Sequence, residues 1–251
     1  MVVNKNLIFI DTETTGFEIG KDRLCQISYK INDQKIITQY FRPPENLKMS
    51  VGAMSVNHIT DKMLIDAEVF RDSSCYQQLL NLVSDQNNVI VGHNVKFDIA
   101  MLEAEGINVN NYICTLKLAK YLDKNQVIPS YALQYLRYYL SLDVEAFAHT
   151  SEGDVDVLYC LFNRIYQGIK KEIAIETEIK NEDDIINRMV AICSAPLLYK
   201  KFNFGKYQGK LIEEVSKIDN GYLVWLLGAK TFKDKNDIDW IYTLKYYLGL
   251  L

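Results

Sequence analysis

Two acidic residues stand two positions apart at the end of the first apolar run of the chain. Asp11 and Glu13 follow residues 7–10, Leu-Ile-Phe-Ile. Side chains alternate along a β-strand, so a strand through this segment places both carboxylates on the same face. Neighbouring carboxylates repel each other unless a cation lies between them. The pair is a candidate metal site, although a strand end without function explains the same pattern.

Three more polar residues lie near predicted helix starts. Asp98 follows Asn94, a predicted helix cap, and Asp154 ends the segment 151–154, which resembles a capping box before a helix that begins at Val155. His149 lies in the loop before that segment. A carboxylate in the first turn of a helix is favoured by the helix dipole even where it has no other role. Each residue alone therefore has a structural explanation.

Together, the same residues predict metal-dependent chemistry. Four carboxylates that follow or precede buried strands and helices can converge at one end of a sheet, where their oxygens suit Mg²⁺ or Mn²⁺. Two such ions about 3.5–4 Å apart can activate water and stabilise the leaving oxygen in phosphodiester cleavage. The neutral imidazole of His149 can accept the proton of the attacking water near pH 7.

The elements that position these residues indicate an α/β fold. Three early segments are predicted strands of an antiparallel meander, because a loop and a polar turn separate them (7–12, 23–31 and 35–41). Residues 89–91 form a further predicted strand. Residues 112–122 fit either strand or helix. The predicted helices are 73–84, 96–105, 131–140 and 155–171. Asp72 or Ser73 would cap the first of them, and Gly106 would end the second. This order predicts a mixed sheet with helices on its faces.

Length, composition and cysteine spacing predict the number of domains and the cellular compartment. The chain has 251 residues, 49% of them hydrophobic, enough for a core and a smaller module. We expect a domain at 1–170, a charged helical linker at 171–195 and a C-terminal module at 196–251. The first apolar run is too short for a signal peptide or a membrane span, so the expected location is the cytoplasm. The five widely spaced cysteines indicate reduced and mostly buried thiols rather than a zinc site or a disulfide framework.

The motifs around these residues resemble those of DEDDh exonucleases. Residues 9–16, Phe-Ile-Asp-Thr-Glu-Thr-Thr-Gly, resemble the first motif, and residues 92–98, Gly-His-Asn-Val-Lys-Phe-Asp, resemble the second. His149 and Asp154 have the spacing of the third motif, and residues 56–60 resemble the segment between the first two. The resemblance covers about residues 5–170. It implies the ribonuclease-H-like fold of polymerase proofreading subunits, exodeoxyribonuclease X and ribonuclease T.

This resemblance also implies roles. Two Mg²⁺ or Mn²⁺ ions would be bound, and a histidine would be the general base; the implied residues are Asp11, Glu13, Asp98 and Asp154 for the metals and His149 for the base. The terminal nucleotide would lie beside Thr14, Phe17 and Asn94. Phe17 would stack on a base, or else pack under its own loop. The implied substrate is the 3′ end of DNA. An exoribonuclease and a non-catalytic nucleic-acid or partner-binding protein are the alternatives.

The C-terminal segment carries a different signal. Residues 196–251 contain nine Lys and six Asp or Glu, a net charge of +3, whereas residues 1–195 carry −7. Basic and aromatic residues alternate over 199–207, which suits phosphate contact and base stacking, with Lys206 and Lys210 as candidates. A pair of short strands around the turn at 204–210, with these aromatics as its core, fits equally. Residues 181–228 resemble the C-terminal region of exodeoxyribonuclease X-like proteins. A polymerase, a repair protein or a second copy of the chain is the alternative partner.

Overall fold

The chain forms two compact units. The computed structural model describes residues 5–144, 150–176, 178–179, 181–233 and 237–251. One unit comprises residues 1–122 and 130–190, and the other comprises residues 123–129 and 191–251. All four predicted carboxylate ligands belong to the first unit.

The first unit is built on a five-stranded mixed sheet in the order β3-β2-β1-β4-β5. Its strands are β1 Leu7–Thr14, β2 Leu24–Ile31, β3 Ile37–Tyr40, β4 Val89–Gly92 and β5 Tyr112–Cys114. Strands β1, β2 and β3 pair antiparallel, which confirms the predicted meander. Strand β4 pairs in parallel with β1, and β5 pairs in parallel with β4. The strand β1 extends two residues beyond its predicted end. Glu13 therefore lies within the paired strand, opposite Gln26 of β2.

The described residues up to Ser194 form seven α-helices. They are α1 Val51–Asn57, α2 Ser74–Ser84, α3 Lys96–Ala104, α4 Thr115–Leu122, α5 Leu133–Tyr139, α6 Ser151–Glu176 and α7 Glu182–Ser194. The cap of α2 is Ser73, whose hydroxyl accepts a hydrogen bond from the backbone N–H of Tyr76 at 3.2 Å. The ambiguous segment 112–122 divides into β5 and α4. The helix α6 packs on β1 and β2 through buried residues that include Val155 and Leu158.

Two predicted helix caps were wrong, although α3 begins at Lys96 as predicted. Asn94 does not cap α3: its backbone is left-handed, with φ of 62°, and the helix begins after Val95 without a side-chain cap. Asparagine tolerates this conformation, and here it turns the chain sharply out of β4. The segment 151–154 is not a capping box, because α6 already begins at Ser151. The cap is one residue earlier, where the Thr150 hydroxyl accepts from the backbone N–H of Gly153 at 3.1 Å.

The second unit is mainly helical. Its helices are α8 Ile212–Ile218, α9 Asn220–Lys233 and α10 Ile238–Tyr247. Lys201 and Leu211 form an antiparallel bridge around the predicted turn, in which Gly205 and Gly209 have positive φ. The rings of Phe202 and Trp240 stack with centroids 5.6 Å apart, and both are buried. Some of the aromatic residues in 199–207 thus form the core of this unit.

Two further expectations concern the whole chain. Within the described residues, no helix combines the length and apolar character needed to span a bilayer. All five cysteines are free thiols, and four of them are buried. The prediction of unpaired, mostly buried cysteines is confirmed.

Candidate active site

Asp11 and Glu13 project from the central strand of the sheet. The preceding residues Ile8, Phe9 and Ile10 are at most 1% exposed and fix β1 in the core. In the antiparallel ladder, Asp11 lies opposite Ser28 and Glu13 lies opposite Gln26. Residues that face each other in such a ladder share a face of the sheet. The two carboxylates therefore lie on one polar strip of an otherwise apolar sheet.

Asp98 approaches this strip from the first turn of α3. Its side chain is only 8% exposed, and buried neighbours such as Ile99 and Leu102 hold the helix against the core. The carboxylate oxygen Oδ1 accepts a hydrogen bond from the hydroxyl of Thr12 at 2.6 Å and from the backbone N–H of Thr12 at 3.2 Å. Thr12 lies between the two acidic residues of β1. These bonds fix Asp98 directly beside that pair.

Asp154 reaches the same group of carboxylates from the first turn of α6. Its Oδ1 accepts a hydrogen bond from the side-chain amide of Gln134 on α5. Three residues earlier, the hydroxyl of Ser151 lies 2.6 Å from that of Ser28 and donates to Gln26 at 2.9 Å. The start of α6 is therefore bonded to the strand residues that lie opposite Asp11 and Glu13.

Burial raises the pKa values of Asp11, Glu13 and Asp98, and neighbouring charges add to the shifts of the first two. The pKa of Asp11 is raised well above its ordinary value, first by burial and then by the charges of Asp98, Glu13 and Asp154. Burial raises the pKa of Glu13 to about 7, with Asp154 and Asp98 acting in the same direction and a hydrogen bond with Asn57 opposing them. Burial raises the pKa of Asp98 to about 6, against the hydrogen bonds from Thr12. Four interacting carboxylates thus share a poorly solvated site.

Such a site is stabilised by protons or by a cation. Carboxylate oxygens are hard ligands, which fits Mg²⁺ or Mn²⁺ better than softer metals. Within the described residues, no group of three or more His, Cys, Asp and Glu side chains forms a site that could hold a metal ion as it stands. The oxygen donors suit a divalent cation, whereas without a cation the carboxylates repel one another.

The three residues predicted to lie beside the nucleotide differ in exposure. The side chain of Thr14 is 5% exposed, and its hydroxyl donates to the carbonyl of Gly16 at 2.6 Å. Phe17 is 67% exposed, so it does not pack under its loop, although its ring centroid is 6.2 Å from that of Phe97. Asn94 is exposed in the left-handed turn after β4. The predicted general base, His149, lies outside the described residues.

The two candidate lysines lie in the second unit. Lys206 donates to Asp219 at 3.0 Å, and its ammonium group is 4.7 Å from the centre of the Tyr207 ring. These contacts raise the pKa of Lys206, through hydrogen bonds with Tyr207 and Asp219. Lys210 is exposed at the end of the turn. Lys206 is therefore already paired with an acidic residue of its own unit.

Three polar residues at the site were absent from the sequence prediction. Thr12 binds Asp98, Gln134 binds Asp154, and Asn57 donates to the carbonyl of Thr14 at 3.2 Å and hydrogen-bonds Glu13. Thr12 and Asn57 lie inside the quoted motifs, so their positions gave a signal that was not used. Gln134 lies in a helix of ordinary composition, and no pattern marks it.

Comparisons with known proteins agree with the motifs. A family model described as "Exonuclease" matches residues 8–162, and one described as "Exodeoxyribonuclease X-like C-terminal" matches residues 202–230. Exodeoxyribonuclease 10 of Escherichia coli (strain K12) is 28% identical over 247 residues, which cover 96% of this chain and 98% of that protein. DNA polymerase III subunit epsilon of Treponema pallidum (strain Nichols) is 32% identical over 167 residues, covering 61% of this chain and 72% of that protein.

A solved structure shares the fold. The structure titled "Exonuclease X in complex with 5′ overhanging duplex DNA" matches with a TM-score of 0.52 at 23% identity, covering 72% of this chain and 99% of that one. At this identity the likeness concerns the fold. The predicted ribonuclease-H-like sheet with flanking helices is confirmed.

Proposed function

Because the chain belongs to the exonuclease family, we propose that it removes nucleoside 5′-monophosphates one at a time from the 3′ end of DNA. It is a nuclease, and therefore a hydrolase of phosphodiester bonds. The observation that carries the proposal is the meeting of four interacting acids from β1, α3 and α6 at one polar strip, where burial raises the pKa values of Asp11, Glu13 and Asp98. A phosphodiester is an anion, so this acidic strip can accept it only with compensating positive charge.

We assign that charge to two divalent cations, Mg²⁺ or Mn²⁺, held by four ligands: Asp11, Glu13, Asp98 and Asp154. When bound, such ions neutralise the phosphate and stabilise charge on the leaving oxygen. The protein contributes orientation. Thr12 fixes one oxygen of Asp98, and Gln134 fixes one oxygen of Asp154, so two of the four ligands are held by hydrogen bonds from neighbouring elements. Such outer contacts orient ligands and tune their affinity for the metal.

We assign the general base to His149, which stands five residues before Asp154 as in the third motif. A neutral imidazole can take the proton of the attacking water near pH 7. His93 is unsuited to this role. One of its ring nitrogens lies 2.9 Å from the Thr115 hydroxyl, and the other lies 2.7 Å from the carbonyl oxygen of Tyr131. Burial lowers the pKa of His93 to about 4.

The substrate strand is assigned to the exposed residues around the acidic strip. Phe17 presents most of its ring to solvent and can stack on the terminal base, an interaction that every base provides. Asn94 offers an exposed amide at the same end of the sheet, and Thr14 shapes the loop before Phe17 through its bond to Gly16. We propose Lys206 and Lys210 as phosphate contacts of the second unit. Lys210 is the stronger candidate because Asp219 pairs with Lys206.

The test is digestion of single-stranded DNA and RNA of identical sequence, labelled at either end, with Mg²⁺, Mn²⁺ or EDTA. The expected result is a ladder from 5′-labelled DNA and a labelled mononucleotide from 3′-labelled DNA, both abolished by EDTA. Asp11→Asn should be inactive, whereas Glu45→Gln, a change at an exposed acid, should behave as wild type. Cleavage that survives EDTA contradicts the metal assignment. Faster degradation of RNA assigns the enzyme to exoribonucleases, and no cleavage of either indicates a binding protein.

A further inference from the structure

The helix α5 exposes three tyrosines within seven residues. The exposed fractions are 70% for Tyr138, 48% for Tyr139 and 40% for Tyr135. The rings of Tyr135 and Tyr139 stack on each other, with centroids 5.9 Å apart and planes 22° from parallel. Contiguous exposed aromatic groups of this kind mark binding surfaces in soluble proteins. We call these three residues the tyrosine surface of α5.

The tyrosine surface lies next to Asp154, one of the four carboxylates. Gln134 of α5 donates its side-chain amide to Asp154, so one side of the helix contacts the acidic strip. Tyr138 is four residues later and lies on the same side of the helix, about 6 Å from Gln134 between Cβ atoms. A strand whose terminal phosphodiester lies at the carboxylates therefore meets Tyr138 within one or two nucleotides.

The charges around the surface favour a polyanion. Apart from the buried Lys117, the helices α4 and α5 carry two cations, Lys120 and Arg137, and no acidic residue, in a chain with a net charge of −4. The guanidinium of Arg137 is 5.3 Å from the centre of the Tyr138 ring. The ammonium of Lys120 is 5.8 Å from the ring of Tyr131, just before α5. Aromatic side chains interleaved with cations are the usual composition of surfaces that bind single strands.

We propose that the tyrosine surface of α5 binds the bases immediately 5′ of the nucleotide that is removed. This inference rests on the proposed function and adds the path of the substrate strand. Tyr138 stacks on a base near the scissile bond, while Tyr135 and Tyr139 extend the surface along the helix. Stacking does not depend on base identity, as an exonuclease that digests any sequence requires.

Two substrates separate this binding from the chemistry. The p-nitrophenyl ester of thymidine 5′-monophosphate contains a cleavable phosphodiester but no upstream nucleotide. Fluorescein-labelled oligothymidylate contains both. We expect Tyr138→Ala to raise KM for the oligonucleotide by about fivefold or more, the loss of one stacked base, with kcat/KM for the ester unchanged. Tyr138→Phe keeps the ring and should behave as wild type. Tyr40→Ala removes a tyrosine of similar exposure, 39%, from β3 and is the matched control.

Fluorescence anisotropy of the same oligonucleotide in EDTA provides a readout without turnover. Weaker binding by Tyr138→Ala but not by Tyr138→Phe or Tyr40→Ala supports the inference. If the same pattern is found but the wild type cleaves neither substrate, the tyrosine surface binds single strands and it is the proposed function that fails. Unchanged affinity and unchanged KM in Tyr138→Ala overturn it. An equal loss on the ester and the oligonucleotide also overturns it, because the tyrosine would then act through Gln134 on Asp154. If Tyr138→Ala keeps its affinity for DNA but loses binding to a protein, the surface belongs to a protein partner instead and the inference is wrong.

Discussion

Replacing Glu13 by Gln should stabilise the metal-free protein at alkaline pH. Glu13 lies in a partly buried position beside three other acids, and its pKa is raised to about 7 from an ordinary 4.5. Glutamine is nearly isosteric and keeps a side-chain oxygen for the hydrogen bond with Asn57. The substitution therefore removes a charge while leaving the packing and this contact in place.

The sign follows from the two pKa values. Below pH 4.5, Glu13 is neutral in the folded and unfolded states, so its charge has no effect on stability. As the pH rises from 4.5 to about 7, the unfolded chain loses this proton before the folded protein does, and folding becomes less favourable. Each pKa unit corresponds to about 1.4 kcal/mol. Partial exposure and coupling to the other acids reduce the full value, so we expect about 2 kcal/mol at pH 8.

Thermal unfolding in EDTA measures this difference. For a chain of this size, about 2 kcal/mol corresponds to a rise in Tm of roughly 4–8 °C. The Tm of Glu13→Gln should exceed that of the wild type by this amount at pH 8 and should equal it at pH 4. Glu45→Gln, which removes an exposed carboxylate, is the control and should change Tm by less than about 1 °C.

Divalent cations provide the complementary measurement. Mg²⁺ or Mn²⁺ should raise the Tm of the wild type more at pH 8 than at pH 5, since protons compete with metals for the same carboxylates. The rise should be smaller in Glu13→Gln, because a ligand has been lost. A Glu13→Gln variant that is equally stable or less stable than wild type at pH 8 in EDTA would refute the view of this site as a cluster of repelling charges.

Four further variants test individual contacts. Thr12→Val removes the 2.6 Å hydroxyl donor of Asp98, and we expect the Mg²⁺ concentration for half-maximal activity to rise by about tenfold in a metal titration. Gln134→Leu should shift the same titration by a similar factor, and an unchanged titration would mean that Asp154 needs no support. His149→Ala should lower kcat by about 10²–10⁴ with metal affinity, measured by calorimetry, retained. Lys210→Ala should reduce the salt dependence of DNA affinity by about one unit of slope, and an unaltered slope would remove this residue from the interface.

Local patterns were sufficient to predict β1 to β4 and the order of the acids, whereas the segment of β5 fitted either strand or helix. The alternation of side chains in β1 placed Asp11 and Glu13 on one face, and the apolar runs located β4 and the helices that follow. These features depend on neighbours a few positions away. The meander and the strand β4 are therefore readable from hydrophobic spacing and turn residues.

The prediction of the cap before α3 failed because the path of the chain out of β4 decides the backbone there. Asn94 has the composition of a cap, but the chain must leave β4 through a tight turn, and the left-handed backbone of Asn94 provides it. At Gly92, a Cβ atom would lie 2.5 Å from a methyl group of Val95, so the turn also requires glycine there. Propensity alone does not distinguish a cap from a left-handed turn, because asparagine favours both.

The hydrogen bonds that hold the ligands were beyond prediction because their partners are distant in sequence. Thr12 and Asp98 are 86 positions apart, and Gln134 and Asp154 are 20 positions apart on different helices. A hydroxyl beside an acid and an amide in a helix are common in any sequence. Only the fold shows that these particular groups meet.

Ser151 illustrates how such contacts set the geometry of the site. Its sequence context suggested a helix cap, yet its side chain is 1% exposed and bonded to Ser28 and Gln26 of β2. Those two residues lie opposite Asp11 and Glu13 in the ladder. The first residue of α6 is thereby bonded to the strand that frames the acidic pair, and Asp154 follows within one helical turn, about 5 Å along the axis. The separation between Asp154 and the acids of β1 is therefore set by a buried polar contact rather than by the acids themselves, whose charges repel.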